Sequence, residues 1–400
     1  MLAADVVVAG AGVSGLLIAT ALAPHCSVVL LEQSDCLPQN KYWLTDEKAL
    51  SESPHLAACV DRRYEFLDFV AYDGLTARVR GHYCLWDTKT LIDHLAQELS
   101  HYGVQILTGH RLYSVSDNRD GILVRANAEA LHARLLIDCM GFGSPLVGAK
   151  NIASISGYYI MYGSEVEIRG DLTPIALDNV IIDRHPAFFE LFPTSKGTAH
   201  AGIILPSRQY RIDRSLKGDL HFILKKSHYS EHVIWNPKPE KAYFGIIPVG
   251  RLQQPVLDRI VFFGEAGQAN PAASATGLAR MLRTYRPLAA SIVHCLKQDT
   301  LRRKELLHAI PGSMTRMNRV FQETLFESLL SFDSDDFLRL VRDLKQYPDD
   351  VINDLVFAEF DFQGTRALRL AMDALLRPDS VLGPHILKSL ARFFSWRNSV

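Results

Sequence analysis

The N-terminal stretch "DVVVAGAGVSGLLIATALAPHCSVVLLEQ" (5–33) constrains the fold more than any other part of the chain. The short apolar run 6–9 is suited to a buried parallel strand, and a glycine-rich turn and an apolar helical pattern follow it. A second apolar run, 28–31, ends in the acidic residue Glu32. A strand, a GxGxxG turn, a helix, a second strand and a terminal acid within about thirty residues predict a dinucleotide-binding βαβ unit.

Each glycine of the GxGxxG turn has a physical role in a pyrophosphate-binding unit. Gly10 permits the tight turn, Gly12 lets the backbone approach the phosphates, and Gly15 lets the helix pack closely on the strand. The N-terminus of the helix faces the phosphates, and Glu32 can accept hydrogen bonds from ribose hydroxyls. An acid there suits an adenosine ribose without a 2′-phosphate, so the motif favours FAD or NAD over NADPH.

Two further strand ends select FAD. In "LHARLLIDCMGFGSP" (131–145) a predicted strand ends in Asp138 and then Gly141, which is similar to the turn beside the pyrophosphate in many flavoproteins. In "RIVFFGEAG" (259–267) a predicted strand ends in an acid after glycine, where such flavoproteins contact the ribityl chain. A helix predicted from about Ala273 would direct its free amides at the flavin, where negative charge collects on reduction. The cofactor-binding candidates at these sites are Gly10, Gly12, Val13, Ser14, Gly15, Glu32, Gln33, Asp138, Gly141, Gly264, Glu265, Gln268, Asn270, Pro271, Ala273, Thr276 and Gly277.

The composition restricts the partners and the compartment. The chain has 43 basic and 44 acidic residues, which gives no reason to expect a nucleic-acid partner. Its 6 cysteines form no CxxC pair and no metal-ligand cluster with histidine, so we expect reduced thiols, no metal and a cytoplasmic protein. No signal peptide is visible, and no apolar stretch approaches the roughly 20 residues of a transmembrane segment.

The order of the segments predicts an α/β fold with a discontinuous Rossmann-like FAD-binding domain, residues 1–150 and 251–300. Residues 151–250 alternate like an antiparallel sheet, and we expect this substrate-binding domain to cover the flavin and form a pocket floor. Within it, "SLKGDLHFILKKSHY" predicts a helix. Residues 301–400 are predicted to form a helical C-terminal region.

The final segment, "HILKSLARFFSWRNSV" (385–400), is predicted to be a basic amphipathic helix. Packing on its own domain is the first interpretation. A peripheral contact with a membrane surface or a partner is the alternative, and it would suit a hydrophobic substrate.

Several stretches together resemble the plant and cyanobacterial type of lycopene cyclase, a branch of the wider flavoprotein hydroxylase and geranylgeranyl reductase superfamily. The resembling stretches are "LPQNKYWLTDE", "LWDTKTLIDHLAQEL", "YGSEVEI", "GIIPVG", "RIVFFGEAGQANPAASATGLARMLR" and the helix near 321–345. The resemblance implies FAD binding and a loop beside the flavin, with Lys41 as a cofactor contact and Tyr42 and Trp43 as substrate contacts. It also implies that Thr88 or Lys89 replaces an arginine that often contacts FAD.

The sequence departs from the family where cyclisation needs an acid. Family cyclases carry paired glutamates on the strand after the segment that matches "FFELFP", but here that strand reads "TAHAGIIL", with His200 and Gly202 and no carboxylate. The Asp-Trp-Arg-like stretch of the family is reduced to "IIDR", which keeps Asp183 and Arg184. The missing acid argues against proton-initiated cyclisation of a polyene, and the strand pair looks more like that of reductases and hydroxylases.

Three reactions remain open. The first is an FAD-dependent monooxygenase of secondary metabolism, in which the reduced flavin forms a C4a-peroxide with O2 and oxygenates a hydrophobic small molecule. NADH or NADPH would visit transiently as the reductant. The second is a non-redox cyclase or isomerase that uses Glu190, Glu265 or His200 as its acid, and the third is a reductase of isoprenoid double bonds.

The catalytic candidates are Glu190 and His200. Strand alternation in "FFELFP" places Phe188, Glu190 and Phe192 on one face and the residues between them on the other. An acid among aromatic rings near a flavin has a raised pKa and can act as an acid or base, and Phe188 is a substrate-contact candidate. The alternatives are a water-facing edge position for Glu190 and a purely structural strand histidine for His200.

Overall fold

The computed structural model describes residues 2–39, 41–118, 120–127, 129–182, 185–226, 228–236, 239–310, 315–357 and 380–395. The strands are β1 Leu2–Ala9, β2 Val28–Leu31, β3 Leu44–Asp46, β4 Val60–Val70, β5 Thr76–Trp86, β6 Gln105–Leu107, β7 Leu112–Asn118, β8 Gly121–Ala126, β9 Glu129–Asp138, β10 Ala153–Ile168, β11 Ile175–Ile182, β12 His185–Pro193, β13 Thr198–Ser207, β14 Val233–Ile234, β15 Ala242–Leu252, β16 Val256–Leu257 and β17 Ile260–Phe262. The helices are α1 Val13–Leu22, α2 Glu47–Ser51, α3 Thr88–His101, α4 Pro145–Lys150, α5 Leu216–Lys226, α6 Gly277–Gln298, α7 Arg303–Ala309, α8 Arg316–Leu329, α9 Ser334–Leu344, α10 Asp349–Val356 and α11 Leu382–Ser395.

The first sheet confirms the predicted Rossmann-like unit. Its strands follow the order β16-β17-β9-β1-β2-β6. In addition, β8 pairs with β9, and β7 pairs with β8. β17, β9, β1, β2 and β6 run parallel, so their carboxyl ends meet at one edge of the sheet. Val6, Val7 and Val8 of β1 are fully buried because helices or other strands cover both faces of the sheet there. The predicted α/β fold class is therefore confirmed.

The second sheet is wider than the sequence predicts. Its order is β14-β10-β13-β12-β11-β4-β5-β3, with β15 on β10, so β3, β4 and β5 from the expected FAD-binding region join the expected substrate domain. β4 and β5 form an antiparallel hairpin, and β4 then pairs in parallel with β11 through Asp68 and Ile175. Strand pairing thus joins segments on both sides of the predicted boundary at residue 150, which stays a prediction.

One face of the second sheet is a core, and the other faces the cavity described below. Phe189, Leu191 and Ile203 pack with α5 in the core, which confirms the helix predicted in "SLKGDLHFILKKSHY". The alternating residues of the same strands point to the opposite face, as the period of two requires.

The helix after β17 begins later than the sequence predicts. α6 starts at Gly277 and not near Ala273, because the segment before it is a turn in which the Ala275 amide donates to the Pro271 carbonyl. Ala275 has a φ of +55°, a left-handed conformation that cannot continue into a helix from the preceding residue.

The C-terminal region is helical in its described part, as predicted. α11 packs on α8: His385 Nδ1 lies 2.8 Å from Ser328 Oγ, and Arg392 donates to Glu327 at 2.8 Å. These contacts agree with packing on the chain's own domain. No helix among the described residues combines the length and apolar character needed to cross a membrane.

Candidate functional site

The three glycine-bearing strand ends converge in space. Gly10 has a φ of +99°, and a Cβ atom there would lie 2.6 Å from the Cys139 carbonyl oxygen, so the end of β1 packs on the end of β9. Gly264 has a φ of +67°, and a Cβ atom there would lie 2.7 Å from the Ser14 side chain. The end of β17 therefore packs on the first turn of α1. We call these three ends the glycine corners: residues 10–15, 138–141 and 264–265.

The second and third glycine corners also touch. Gly141 has a φ of +72°, and a Cβ atom there would lie 3.2 Å from Glu265 Oε2. Asp138 is held in place because its carboxylate accepts hydrogen bonds from Ser144 Oγ and the Met140 amide. Burial raises the pKa of Asp138 to about 6 despite these two hydrogen bonds. The structure thus brings the candidates Asp138, Gly141, Gly264 and Glu265 together.

The glycines of the first corner differ in the space around them. A Cβ atom on Gly15 would lie 1.9 Å from the Gly10 carbonyl oxygen, so the packing of α1 on β1 leaves no room for a side chain at this position. A Cβ atom on Gly12 would meet nothing within 4 Å. Gly12 is also the N-cap of α1, which has no side-chain cap. An open glycine backbone at an uncapped helix N-terminus fits the phosphates of a dinucleotide.

Glu32 lies at the end of β2 beside this corner. Its Oε2 accepts from the Ala11 amide and its Oε1 from the Ser34 amide, both at 2.9 Å. The carboxylate is thereby fixed next to the glycine turn, where an adenosine ribose would lie. Of the other candidates in this region, Val13 is buried in the first turn of α1, whereas Gln33, the residue after Glu32, is exposed.

The loop before α6 holds buried polar atoms that lack partners. Gln268 Oε1 and Asn270 Nδ2 are buried and have no hydrogen-bond partner among the described residues. Native proteins rarely leave such atoms unpaired, so a bound polar group is expected beside them. The candidates Ala273, Thr276 and Gly277 line the adjoining cavity, and Pro271 is buried beneath them. These residues, with the glycine corners, fit an FAD group.

A cavity of about 290 Å³ connects the third glycine corner with the second sheet. Its wall contains Glu265 and the start of α6 on one side and Phe188, Glu190 and Phe192 on the other. The alternation predicted for β12 is therefore correct. Lys41, Tyr42 and Trp43 also line the cavity, and their predicted contacts with flavin and substrate stay predictions.

Glu190 is the carboxylic acid on the sheet face of the cavity. The Tyr42 hydroxyl donates a hydrogen bond to Glu190 Oε2, and the Tyr243 ring lies 5.0 Å from the Tyr42 ring. Burial raises the pKa of Glu190 to about 7, although the hydrogen bond from Tyr42 acts in the opposite direction. A carboxyl group with such a pKa can both donate and accept a proton near neutral pH.

His200 lies next to this group but does not line the cavity. Its ring stacks on Tyr42, with 5.1 Å between ring centroids and 11° between ring planes. Burial lowers the pKa of His200 to about 4, so the imidazole is neutral near pH 7. Its predicted catalytic role therefore has weaker geometric support than that of Glu190.

Two lysine candidates differ in position. Lys41 lies at the cavity wall. Lys89 is 68% exposed on α3, where it forms an ion pair with Asp93 one turn later, and it does not line the cavity. The neighbouring Thr88 is buried, and its hydroxyl donates to the Lys41 carbonyl, so Thr88 positions the cavity loop. Asp183 and Arg184 lie outside the described residues.

The sequence did not identify two tyrosines of the site. Tyr243 on β15 lines the cavity, and the Tyr159 hydroxyl on β10 donates to the Ala273 carbonyl at 2.9 Å. A signal for Tyr243 was present: Gly163 lies in the middle of β10, and a glycine inside a strand often marks a close approach by another group.

A family model described as "Lycopene cyclase protein" matches residues 5–356. No protein with a curated description matches the sequence. Solved structures of other proteins share the fold, among them the three that follow. A geranylgeranyl bacteriochlorophyll reductase-like protein from Thermoplasma acidophilum has a TM-score of 0.70 at 15% identity, covering 98% of this chain and 96% of that one. A variant of the halogenase PltM in complex with FAD gives 0.68 at 14% identity, covering 98% and 96%. The anhydrotetracycline hydroxylase OxyS from Streptomyces rimosus gives 0.65 at 15% identity, covering 89% and 76%.

Proposed function

The chain belongs to the lycopene cyclase protein family, and from this premise we propose that it is an FAD-dependent oxidoreductase that acts on a hydrophobic small molecule. One observation carries the proposal. The cavity runs from the third glycine corner, at Glu265, to the aromatic face of β12, at Phe188 and Phe192. A substrate in this cavity would lie against a flavin held by the glycine corners.

The residues divide into a cofactor set and a substrate set. Gly10, Gly12, Gly15 and the first turn of α1 would hold the pyrophosphate, and Glu32 the adenosine ribose. The loop 264–277 would hold the flavin end. Bound FAD would supply electron transfer and, once reduced, reaction with O2. The cavity wall binds and orients the substrate and excludes water.

We propose oxygenation as the first reaction. In this reaction, one atom of O2 enters the substrate and the other is reduced to water, and NADH or NADPH is oxidised to supply the two electrons. The apolar lining supports it, because a site that excludes water protects reactive species from hydrolysis. The likeness in fold to a hydroxylase and a halogenase is in keeping with this reaction.

Proton-initiated cyclisation or isomerisation is the second candidate, and a specific observation favours it. The sequence offers no carboxylate on β13, but Glu190 of β12 is the register partner of Gly202 on β13. Cross-strand partners project to the same face of a sheet, so a carboxyl group does reach the cavity there. The objection from the missing acid is thereby weakened.

Product mass distinguishes the candidates. Metabolite extracts from cells with the wild-type protein and with the Gly12→Val variant would be compared by mass spectrometry. Oxygenation adds one oxygen atom to a metabolite, cyclisation leaves its mass unchanged, and double-bond reduction adds two hydrogen atoms. A purified protein that binds no FAD when FAD is supplied would overturn the proposed function as a whole.

A further inference from the structure

The carboxyl group of Glu190 occupies space left by a glycine on the neighbouring strand. Glu190 and Gly202 are register partners on β12 and β13. A Cβ atom on Gly202 would lie 3.1 Å from the Tyr42 hydroxyl and 3.4 Å from the Tyr243 hydroxyl. Any side chain at 202 would therefore compete with the two tyrosines for the position beside Glu190.

A second glycine extends this space. Gly163 on β10 is the register partner of Gly202, and a Cβ atom there would lie 2.0 Å from the Tyr243 hydroxyl. Two glycines side by side on adjacent strands thus form a depression in the sheet, which we call the glycine notch (Gly163 and Gly202). The Tyr42 and Tyr243 hydroxyls lie over this notch. The absence of side chains at these two positions therefore makes room for two polar hydroxyl groups on an otherwise apolar cavity wall.

The hydrogen bonds at the notch leave acceptor capacity for a ligand. The Tyr243 hydroxyl donates to the Ala201 carbonyl at 3.3 Å, and the Tyr42 hydroxyl donates to Glu190 Oε2. Among the described residues, no other group donates to the Glu190 carboxylate. A carboxylate accepts about four hydrogen bonds, so Glu190 can accept from a bound molecule without giving up Tyr42.

The surroundings of the notch are apolar. Phe188 and Phe192 flank Glu190 on β12, and Ile204 lies two residues after Gly202 on β13. These three apolar side chains all line the cavity. A hydrophobic molecule in this cavity would gain a carboxylate acceptor by placing its one polar substituent at the notch, whereas Phe188, Phe192 and Ile204 offer that substituent no side-chain hydrogen bond.

We propose that Glu190 and Tyr42, held by the glycine notch, form an acid–base site that binds the hydroxyl group of an otherwise hydrophobic phenol or enol. The proposal rests on the proposed function and names its substrate class. In the step, the substrate O–H bond breaks and its proton forms an O–H bond with the Glu190 carboxylate. The electron pair stays on the substrate oxygen. Once Glu190 is protonated, the Tyr42 hydroxyl turns from Glu190 Oε2 and donates its hydrogen bond to this oxygen instead. The resulting anion is electron-rich and therefore more easily oxygenated.

Two probes of nearly equal size test the site in the full-length protein. 4-Nitrophenol carries the hydroxyl group, and nitrobenzene lacks it. We expect the wild-type protein to bind 4-nitrophenol about tenfold more tightly than nitrobenzene, a ratio equivalent to about 1.4 kcal/mol. Calorimetry gives both affinities, and the absorbance of nitrophenolate reports ionisation of the bound probe.

The variants Glu190→Leu and Tyr42→Phe remove the acceptor and the donor. We expect Glu190→Leu to abolish the preference for 4-nitrophenol and the nitrophenolate signal, and Tyr42→Phe to reduce both. Glu165→Gln is the matched control, because Glu165 lies on β10 of the same sheet but pairs with Lys241 at 2.9 Å and does not line the cavity. It should bind as the wild type does.

Equal affinity of the wild-type protein for the two probes would overturn the proposal, as would an unchanged preference in Glu190→Leu. FAD content is measured separately on each protein. A protein without FAD that still prefers 4-nitrophenol would contradict the proposed function and support the site, whereas a protein with FAD and no preference would do the reverse.

Discussion

At the residue scale, the glycines of the first corner show why one motif contains positions with different tolerances. Gly15 is closed by the Gly10 carbonyl, and Gly12 faces open space. Packing within the chain requires a glycine at position 15, whereas no protein atom near Gly12 requires one at position 12. Substitutions at the two positions should therefore fail for different reasons.

We expect Gly12→Val to fold with near wild-type stability and to lose FAD, because its Cβ meets no protein atom within 4 Å and its methyl groups would fill the approach to the pyrophosphate. Gly15→Val should instead destabilise the fold by several kcal/mol, since its Cβ overlaps a carbonyl oxygen. Flavin absorbance and denaturant unfolding measure the two effects. Gly148→Val on α4 is the control, because its Cβ also meets nothing within 4 Å. A fully loaded Gly12→Val protein would contradict the placement.

The pKa of Glu190 gives the folded protein a pH-dependent stability. Folding raises this pKa from 4.5 to about 7, so the folded state binds a proton more tightly than the unfolded state does. The facing groups Tyr42 and Tyr243 stay uncharged, because burial raises both their pKa values. Relative to Glu190→Gln, the wild-type protein should be most stable below pH 4.5. It should lose up to about 3 kcal/mol by pH 7, at about 1.4 kcal/mol per pKa unit. Unfolding in denaturant at both pH values checks this, and a constant difference between the two proteins would contradict it.

At the element scale, local patterns identify strands and helices but not their distant partners. The alternation in "FFELFP" predicts which side chains of β12 face the cavity, because a strand's period is fixed by its backbone. The pairing of β4 with β11 joins residues more than a hundred positions apart, and no local pattern encodes it. The start of α6 is displaced because Ala275 adopts a left-handed conformation that its sequence does not require.

One side chain links three elements around the cavity. Gln322 on α8 is 2% exposed, accepts from the Ala273 amide at 2.8 Å and donates to the Leu355 carbonyl at 2.6 Å. We expect Gln322→Ala to cost about 2 kcal/mol or more, because two buried backbone groups lose their partners. It should also weaken FAD retention, since the loop before α6 loses an anchor. Denaturant unfolding and flavin release measure these effects. The exposed Gln298→Ala, at the end of α6, is the control, and equal losses in both variants would exclude the anchoring role.

At the scale of the whole molecule, the glycine corners and the cavity lie where the two sheets meet the C-terminal helices. The convergence of the corners follows from the sequence, because a dinucleotide site repeats a short motif with fixed geometry, and their binding of FAD stays a prediction. The sequence predicted the cavity poorly, because Tyr243 and the apolar residues of α8, α9 and α10 enter its wall only through tertiary packing.

Removal of FAD should destabilise the whole molecule, because the cofactor would join all three glycine corners and satisfy buried polar atoms before α6. At free FAD 100 times its Kd, linkage gives a stabilisation of about 2.7 kcal/mol. Thermal unfolding at increasing FAD concentration measures the rise in Tm. The Tm of the Gly12→Val variant should not change with FAD concentration. A wild-type Tm that does not rise with FAD would contradict the cofactor assignment.

The glycine corners and the cavity wall opposite Glu265, which we call the far wall, are built from different parts of the chain. The corners belong to the first sheet and α1, whereas the far wall belongs to the second sheet and to helices as late as α11. Substitutions at Leu340 and Leu344 of α9 or at Leu382 of α11 should therefore reshape the substrate chamber while the nucleotide cradle stays intact, unlike changes at Gln322, which anchors the loop before α6. Directed evolution of new specificities would best begin at that wall.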